Sequence, residues 1–426
     1  MTVQTTEVTL AVPAHPTPQQ VQLLQQRTDL QRRVRTRFWS NVRDSVGLAA
    51  LDLTWPRPQL VKSAAGEALF SLVGPDDQAG RNYIERAVGD ELCRLRDLPG
   101  RVHWAHLQPG IDADTLTMPN RPLCVGGDLL LLPDMEIEID AFALPRPFDR
   151  AVVAAGAQRI LKWRRQLTAD LEHWDRGVTI DEARRVRRHL SEYSLWCTGA
   201  APDDACVPGV EVRRAALLRR LDPDGERRWA CLLTFSLTSA ALVEYFPAAA
   251  KPGPIGIDPG LRHPLTWASA DDEKSLPNAL VDLDGFHQGD SPGRASRQAC
   301  WARHAADYQQ AWHDVLQHGL VRLEDTHWRT LVGTAPGFVA RARSNYLWVW
   351  AAHLAALAPL TGSQLELIPS RLTSRTCSAC GHVLPHRLTG WFNCPECHYR
   401  ARVDVNAARN IYRGGCPHPL PVPSQN

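Results

Sequence analysis

From Thr5 to Val12 polar and apolar residues alternate, which predicts a β-strand, with Pro13 and Pro16 ending it. Thr17-Pro18-Gln19-Gln20 has the composition of a helix start: a threonine cap, proline at the first helical position, and a glutamine placed to close a capping box. That helix runs through Leu23 and Leu24 into an arginine-rich stretch, and apolar spacing stays mostly helical to about residue 115. Residues 129–132 and 137–140 read as strands around a Pro133-Asp134 turn, and 148–195 return to helix with basic pairs at Arg164-Arg165, Arg184-Arg185 and Arg187-Arg188. Two further strands, 210–218 and 229–235, flank Asp222-Pro223-Asp224-Gly225 and predict a hairpin. The stretch 247–254, rich in proline, alanine and glycine, predicts a linker and the main domain boundary.

Beyond the linker, apolar runs end in acids. Ile255-Gly256-Ile257-Asp258-Pro259-Gly260 predicts a buried strand delivering Asp258 to its end, then a tight turn and a return strand over 263–268. Gly319-Leu320-Val321-Arg322-Leu323-Glu324-Asp325 predicts a second strand with Glu324 at its carboxyl end. In Val403-Asp404-Val405-Asn406-Ala407-Ala408-Arg409-Asn410-Ile411, Asp404 stands where a helix N-cap belongs. Turn chemistry, a solvated strand end and helix capping each account for one of these acids in isolation. Three carboxylates from separated segments can also meet at one sheet edge. Such a cluster opposes its own ionisation unless cations neutralise it. Magnesium takes oxygen ligands and, as a pair, serves both the attacking water and the leaving oxygen of a phosphodiester.

Cysteine spacing is the most specific local signal. Cys377-Ser378-Ala379-Cys380 and Cys394-Pro395-Glu396-Cys397 form two C-x-x-C knuckles separated by thirteen residues, the pattern of a closed, structural four-cysteine zinc site. His382, His386 and His398 are alternative ligands, and Trp391 and Phe392 are expected in the small core of the ribbon. Cys93, Cys124, Cys197, Cys206, Cys231, Cys300 and Cys416 lack comparable pairing and read as small buried apolar residues.

Composition adds limits. A chain of 426 residues predicts about three domains at roughly 150 residues each. With 44% hydrophobic and 22% charged residues it is ordinary globular material rather than a disordered tail, a coiled-coil rod or a disulfide-stapled module. No apolar run approaches the ~18 residues of a membrane span, and the opening segment lacks a basic-then-apolar leader. A soluble, cytoplasmic protein is the expectation. Forty-eight basic residues face forty-six acidic ones for a net charge of +2, so bulk charge does not announce a nucleic-acid binder. The basic set is lopsided, with Lys62, Lys162, Lys251 and Lys274 as its only lysines. Genomic bias explains an arginine excess, and so does bidentate phosphate recognition.

Gly256-Ile257-Asp258-Pro259-Gly260, Leu323-Glu324-Asp325, Thr373-Ser374-Arg375-Thr376-Cys377-Ser378-Ala379-Cys380-Gly381 and Asp404-Val405-Asn406-Ala407-Ala408-Arg409-Asn410-Ile411 occur in an order that resembles the TnpB family. These are transposon-encoded, RNA-guided nucleases from which the compact type V CRISPR effectors derive. The resemblance is strong over 254–413 and weaker at 9–24 and in the hairpin around 210–236. It implies an α/β multidomain protein: a RuvC-like nuclease domain of the RNase H fold over 251–426 with a zinc ribbon inserted at 370–400. A β-barrel wedge domain (1–15 and 121–250, with a helical insertion at about 145–205) and a helical recognition lobe (16–120) would precede it. The same resemblance implies that Asp258, Glu324 and Asp404 hold two catalytic Mg2+ and that Cys377, Cys380, Cys394 and Cys397 hold one structural Zn2+. The implied partners are a guide RNA and a double-stranded DNA target with a short adjacent motif, and the implied activity is RNA-guided DNA cleavage.

One departure from the family stands out: residues 285–320 carry only Arg294, Arg297 and Arg303, against Asp290, Asp307 and Asp314, where relatives have a strongly basic helical stretch. The arginine pairs of 145–205 offer another RNA surface, or a solvated helix face. Two rival functions stay open. An RNA-guided repressor that does not cut is disfavoured by acids at all three positions. A guide-free zinc-ribbon DNA-binding protein leaves those acids unexplained.

Overall fold

The computed structural model describes residues 5–41, 72, 81, 84, 115–117, 124–126, 129–132, 135–156, 207–221, 227–260, 263–276, 294–325, 349–386, 388 and 390–415. Most of 16–120 and of 145–205, including the arginine pairs, lies outside the described residues, as do Cys93, Cys197, Cys206, Cys416 and the Asp222–Gly225 turn. The architecture is mixed α/β. Among the described residues no helix is long and apolar enough to cross a membrane.

Seven antiparallel strands form the first sheet: β1 (Thr5–His15), β2 (Thr115–Thr117), β3 (Cys124–Gly126), β4 (Leu129–Leu132), β5 (Met135–Ile139), β6 (Val210–Leu221) and β7 (Arg227–Thr238), in the order β2-β6-β7-β1-β5-β4-β3. Its strands therefore come from 5–15, 115–139 and 210–238, and among the described residues no pairing joins β2 to β3. Val8, Leu10 and Val12 alternate along β1 and pair in register with Phe235, Leu233 and Cys231 of β7, all buried. Pro13 does not stop β1, which continues to His15. The Pro13 carbonyl accepts from the Asp140 amide (3.0 Å) on the β5 side, away from β7. The amide that proline lacks would face that same side, where β1 pairs only through Ala14 and His15, so the ladder loses little.

The predicted helix start is present in α1 (Pro18–Asn41): the Thr17 amide donates to Gln20 Oε1 (2.8 Å) and the Gln20 amide donates to Thr17 Oγ1 (3.3 Å), the two arms of a capping box. A short helix, α2 (Ser239–Tyr245), follows β7 and is capped by Thr238, whose Oγ1 accepts from the Ala241 amide (3.3 Å). Beyond it, the expected linker is shorter than its composition suggests. Lys251–Pro254 already opens β8 (Lys251–Asp258), whose first residues are exposed and pair irregularly with the next strand, a place where proline and glycine are tolerated.

The second sheet comprises β8, β9 (Thr266–Ala268), β10 (Glu273–Ser275), β11 (His318–Asp325) and β12 (Gln364–Pro369) in the order β10-β9-β8-β11-β12. β8, β9 and β10 run antiparallel in sequence, while β11 is parallel to β8 and β12 parallel to β11. Helices α3 (Arg294–Ala302) and α4 (Ala305–Leu316) precede β11, and a helical segment over 349–357 links β11 to β12. Ile255 and Ile257 of β8 stand in register with Val321 and Leu323 of β11. All four join a buried core with Trp301, Tyr308, Trp312 and Trp350, whose rings stack at centroid distances of 4.2 Å (Trp301–Tyr308), 5.0 Å (Tyr308–Trp350) and 4.5 Å (Trp312–Trp350).

Polar contacts tie the first sheet to the helices that flank β11. His353, in the 349–357 helix, donates from Nε2 to the Ala11 carbonyl of β1 (2.7 Å). Burial pushes its imidazole down to about 4, so the ring is neutral. Asp140, fully buried after β5, accepts from His15 Nε2 (2.7 Å) and from Arg297 Nε of α3 (3.2 Å), and Arg297 also reaches Glu138 (3.1 Å). Arg297 is thus an internal tie, whereas Arg303 is exposed.

The chain ends its described part with a two-stranded hairpin, β13 (Trp391–Asn393) and β14 (Arg400–Arg402), and α5 (Val403–Tyr412). Cys231 and Cys300 are buried as expected.

Candidate functional site

The register of β8 and β11 brings the first two acids together. Ile257 pairs with Leu323, so Asp258, the last residue of β8, and Glu324, the penultimate residue of β11, lie side by side on neighbouring parallel strands, whose spacing is ~4.8 Å. Asp258 is buried and Glu324 half-buried. Gly256 lies two residues before Asp258, hence on the same face. A Cβ there would collide with the backbone of Ala408 and Tyr412, so α5 rests directly on this face and glycine is what allows it.

Two contacts orient α5. At its C-terminal end Arg322, the register partner of Gly256, donates from Nη1 to the Tyr412 carbonyl (2.5 Å). At its N-terminal end Asp404 Oδ2 accepts from Nδ1 of His263 (2.9 Å), in the turn between β8 and β9. The helix therefore runs antiparallel to β8, and its first turn lies at the edge where Asp258 and Glu324 end. His263 Nε2 meets Arg402 Nη1 (3.3 Å). Arginine only donates, so Nε2 is the acceptor and the ring proton sits on Nδ1, directed at Asp404.

Asp404 is not the N-cap expected from sequence. Arg402, in extended conformation (φ −64°, ψ 145°), occupies that place, and Asp404 lies in the first turn with its carboxylate turned outward to His263. Glu324 Oε1 accepts from the Thr373 hydroxyl. The three carboxylates share one sheet edge, but they are not drawn together as a ligand cage: among the described residues, the group whose ligand atoms all lie within 4.8 Å of one another is that of the four cysteines. Hard oxygen donors beside the positive end of a helix suit a divalent cation such as magnesium in kind.

Cys377, Cys380, Cys394 and Cys397 form a second, tighter cluster. Their sulfurs lie 3.6 Å apart in the pairs Cys377–Cys397 and Cys380–Cys394. Tetrahedral zinc with bonds of ~2.3 Å sets its sulfurs about 3.8 Å apart, so the four residues fit that ion. The knuckles repeat one backbone design. Gly381 (φ 80°) donates to the Cys377 carbonyl (2.9 Å) and His398 (φ 58°) donates to the Cys394 carbonyl (3.0 Å), each from the left-handed region. His398 is thereby a turn residue, and neither it nor His382 or His386 enters the ligand group. Burial alone would raise the Cys394 thiol, but hydrogen bonds from the Cys397 and Glu396 amides and from neighbouring thiols draw it down to about 7, favouring the thiolate a metal needs.

Phe392 is fully buried with Leu384 and Val403, as expected for a ribbon core, whereas Trp391 is 51% exposed. Strand alternation turns Trp391 outward, where the Arg400 guanidinium covers its ring at 4.8 Å. Sequence assigns no role to His263 or Thr373. An ionisable residue in the turn directly after Asp258 was the available signal for the first, and a threonine just ahead of a knuckle for the second.

Residues 351–411 match the family model described as Cas12f1-like, TNB domain. No curated protein matches the chain. Among solved structures, a Cas12f1–sgRNA–target DNA complex aligns with a TM-score of 0.27 and 18% identity over 46% of this chain and 55% of that one. A CRISPR-Cas12f ternary complex aligns with a TM-score of 0.22 and 11% identity over 92% and 80%. The chain thus spans about half the length of the first of these relatives. The segment that carries the ribbon and Asp404 is thus similar to the TNB domain of Cas12f1-like proteins.

Proposed function

We propose that this chain is an RNA-guided, magnesium-dependent DNA endonuclease with a RuvC-like nuclease domain. The observation that carries the reading is the delivery of Asp258, Glu324 and Asp404, from three distant segments, to one edge of a sheet with the order β10-β9-β8-β11-β12. An antiparallel triplet extended by two parallel strands is the strand arrangement expected of an RNase H fold. Asp258 and Glu324 at adjacent strand ends and Asp404 on the covering helix would hold the ions. Bound magnesium supplies activation of a water for in-line attack and neutralisation of charge on the leaving 3′ oxygen.

The chain's own groups have separate tasks. Asp258, being short and buried, is held by its strand, and His263 keeps Asp404 aimed across the β8–β9 turn. The four cysteines would hold zinc and keep the hairpin beside α5. Arg400 and Trp391 present a cation and an aromatic face to solvent, the pairing that stacks on unpaired bases. The match over 351–411 supports a guide RNA and a DNA target as partners, with sequence read by pairing and the heteroduplex held through its backbone.

The test uses the full chain purified with its co-purifying RNA. Sequencing should find one structured RNA species, and the complex should cut a DNA containing the matching target only when magnesium is present. Asp258→Ala should lower cleavage at least ~10³-fold, as expected when several kcal/mol of transition-state charge stabilisation are lost, while target binding persists. Undiminished cutting by this variant would overturn the assignment of the acids, and absence of any defined RNA would overturn guidance.

A further inference from the structure

We propose that Thr373 is the positioning residue for Glu324, and that the short segment between β12 and the first cysteine knuckle sets Glu324 relative to Asp404. This rests on the reading of Glu324 as a metal ligand and adds to it a residue and a linkage.

Thr373 is 1% exposed, and its hydroxyl lies between two acceptors: Glu324 Oε1 and, at 3.3 Å, the Ser370 carbonyl. A hydroxyl has one proton to give, and the carboxylate is both the closer and the charged partner. The backbone of Thr373 is held as firmly. Its carbonyl accepts from Asn410 Nδ2 (2.8 Å), which also reaches the Thr376 carbonyl (2.7 Å). Asn406 donates to the same Thr376 carbonyl (2.8 Å) and accepts from the Ser378 amide (2.9 Å). Asn406 and Asn410 are buried, at 0% and 2% exposure, so these bonds are shielded from competing water.

Both asparagines belong to α5, the helix that carries Asp404. One continuous path thus runs from the Glu324 carboxylate through Thr373 and Asn410 to the helix and Asp404. A glutamate needs such support more than an aspartate does, because it has more rotamer freedom to lose on fixing its head group. A donor on Oε1 fixes the plane of the carboxylate before any cation arrives. The path also leads into Cys377, so the ribbon and the acidic edge share one backbone anchor.

The experiment compares Thr373→Val, which keeps the shape and removes the hydroxyl, with Thr373→Ser, which keeps the hydroxyl. Mn2+ binding to the full chain is followed by electron paramagnetic resonance, alongside the Mg2+ dependence of cleavage, zinc content and melting temperature. Thr373→Val should weaken Mn2+ binding and raise the half-saturating Mg2+ about 10-fold, with zinc retained, and Thr373→Ser should restore both. Unchanged Mn2+ affinity in Thr373→Val, or a serine variant no better than the valine one, would overturn the proposal. If valine prevents folding, Thr373→Ala takes its place; failure of both to fold beside a folded serine variant would reduce Thr373 to a structural role and overturn it as well. Glu324→Gln separates the layers. If it leaves Mn2+ binding intact, the reading of Glu324 falls and this inference with it. If it weakens Mn2+ binding and Thr373→Val does not, the positioning role alone falls.

Discussion

If both groups hold cations as proposed, the four cysteines and the three carboxylates gather their ligands by opposite routes. The cysteines come from two short knuckles whose backbone turns place the sulfurs within 4.8 Å of one another before any ion is considered. Cys377, Cys380 and Cys397 are pushed up and so stay protonated, leaving Cys394 as the one thiol drawn toward its thiolate, so little repulsion opposes closure of the cluster. The carboxylates come from two strand ends and a helix turn, and their closeness depends on the register of β8 with β11 and on how deeply α5 settles on Gly256. Ionised acids repel, and here Asp404 is held by His263 while Glu324 is held by Thr373. Local spacing suffices for a structural ion. A reactive one requires tertiary structure that holds like charges near each other without letting them collapse or scatter.

The difference is broken most strongly at the thiols. Structural zinc contributes on the order of 10 kcal/mol or more of apparent binding energy, so Cys377→Ser with Cys380→Ser should remove the metal altogether. Elemental analysis should fall from one zinc per chain to none, and limited proteolysis should open the 377–402 region. The main core should survive, because Cys377, Leu384, Phe392, Cys394 and Val403 form a cluster of their own. Full zinc content in the double variant would show that other ligands bind it.

At the acidic edge the sensitive point is a residue with no charge. Gly256→Ala adds one methyl group where the α5 backbone already lies. Overpacking of this kind costs about 3 kcal/mol at the upper end of its usual range, and its relief requires α5 to move. A lowered melting temperature together with lost cleavage is the expected outcome. Unchanged stability and activity would mean that α5 does not rest on β8 as described.

Sequence alone carried the local parts of both sites further than the tertiary ones. The knuckles, the Thr17 capping box and the apolar runs ending in Asp258 and Glu324 are written in consecutive residues. Sequence places Asp404 at the N-cap rather than in the first turn because both positions favour the same acid, and the cap residue Arg402 and the partner His263 separate them only in the fold. Pro13 looked like a strand terminus because its effect depends on which edge lacks a neighbour. Lys251–Pro254 looked like a linker because composition does not register a strand's irregular first turn of pairing. The buried bond of Arg297 to Asp140, more than 150 positions away, is likewise not legible in the sequence. Thr373 and the two asparagines of α5 had no legible role, since their bonds exist only between elements brought together by folding.

The smallest expected effect sharpens the contrast from the ribbon's outer surface. Trp391 and Phe392 are neighbours on a three-residue strand, and sequence cannot decide which of them turns inward until β14 pairs with it. The pairing sets Phe392 opposite Ala401 and leaves Trp391 opposite Arg402, with Arg400 over its ring. An inward tryptophan would belong to the zinc core, and its removal would loosen the metal. An outward one contributes little to folding, because much of its ring already meets water. Trp391→Ala should therefore leave zinc content and melting temperature unchanged. If the face stacks on an unpaired base, affinity for single-stranded DNA should fall by about 1 kcal/mol, roughly 5-fold. Fluorescence anisotropy of a labelled oligonucleotide at fixed salt measures this. A loss that vanishes in Arg400→Ala carrying the same substitution would show the two side chains acting as one surface, and an unchanged affinity would leave the ribbon a purely structural element.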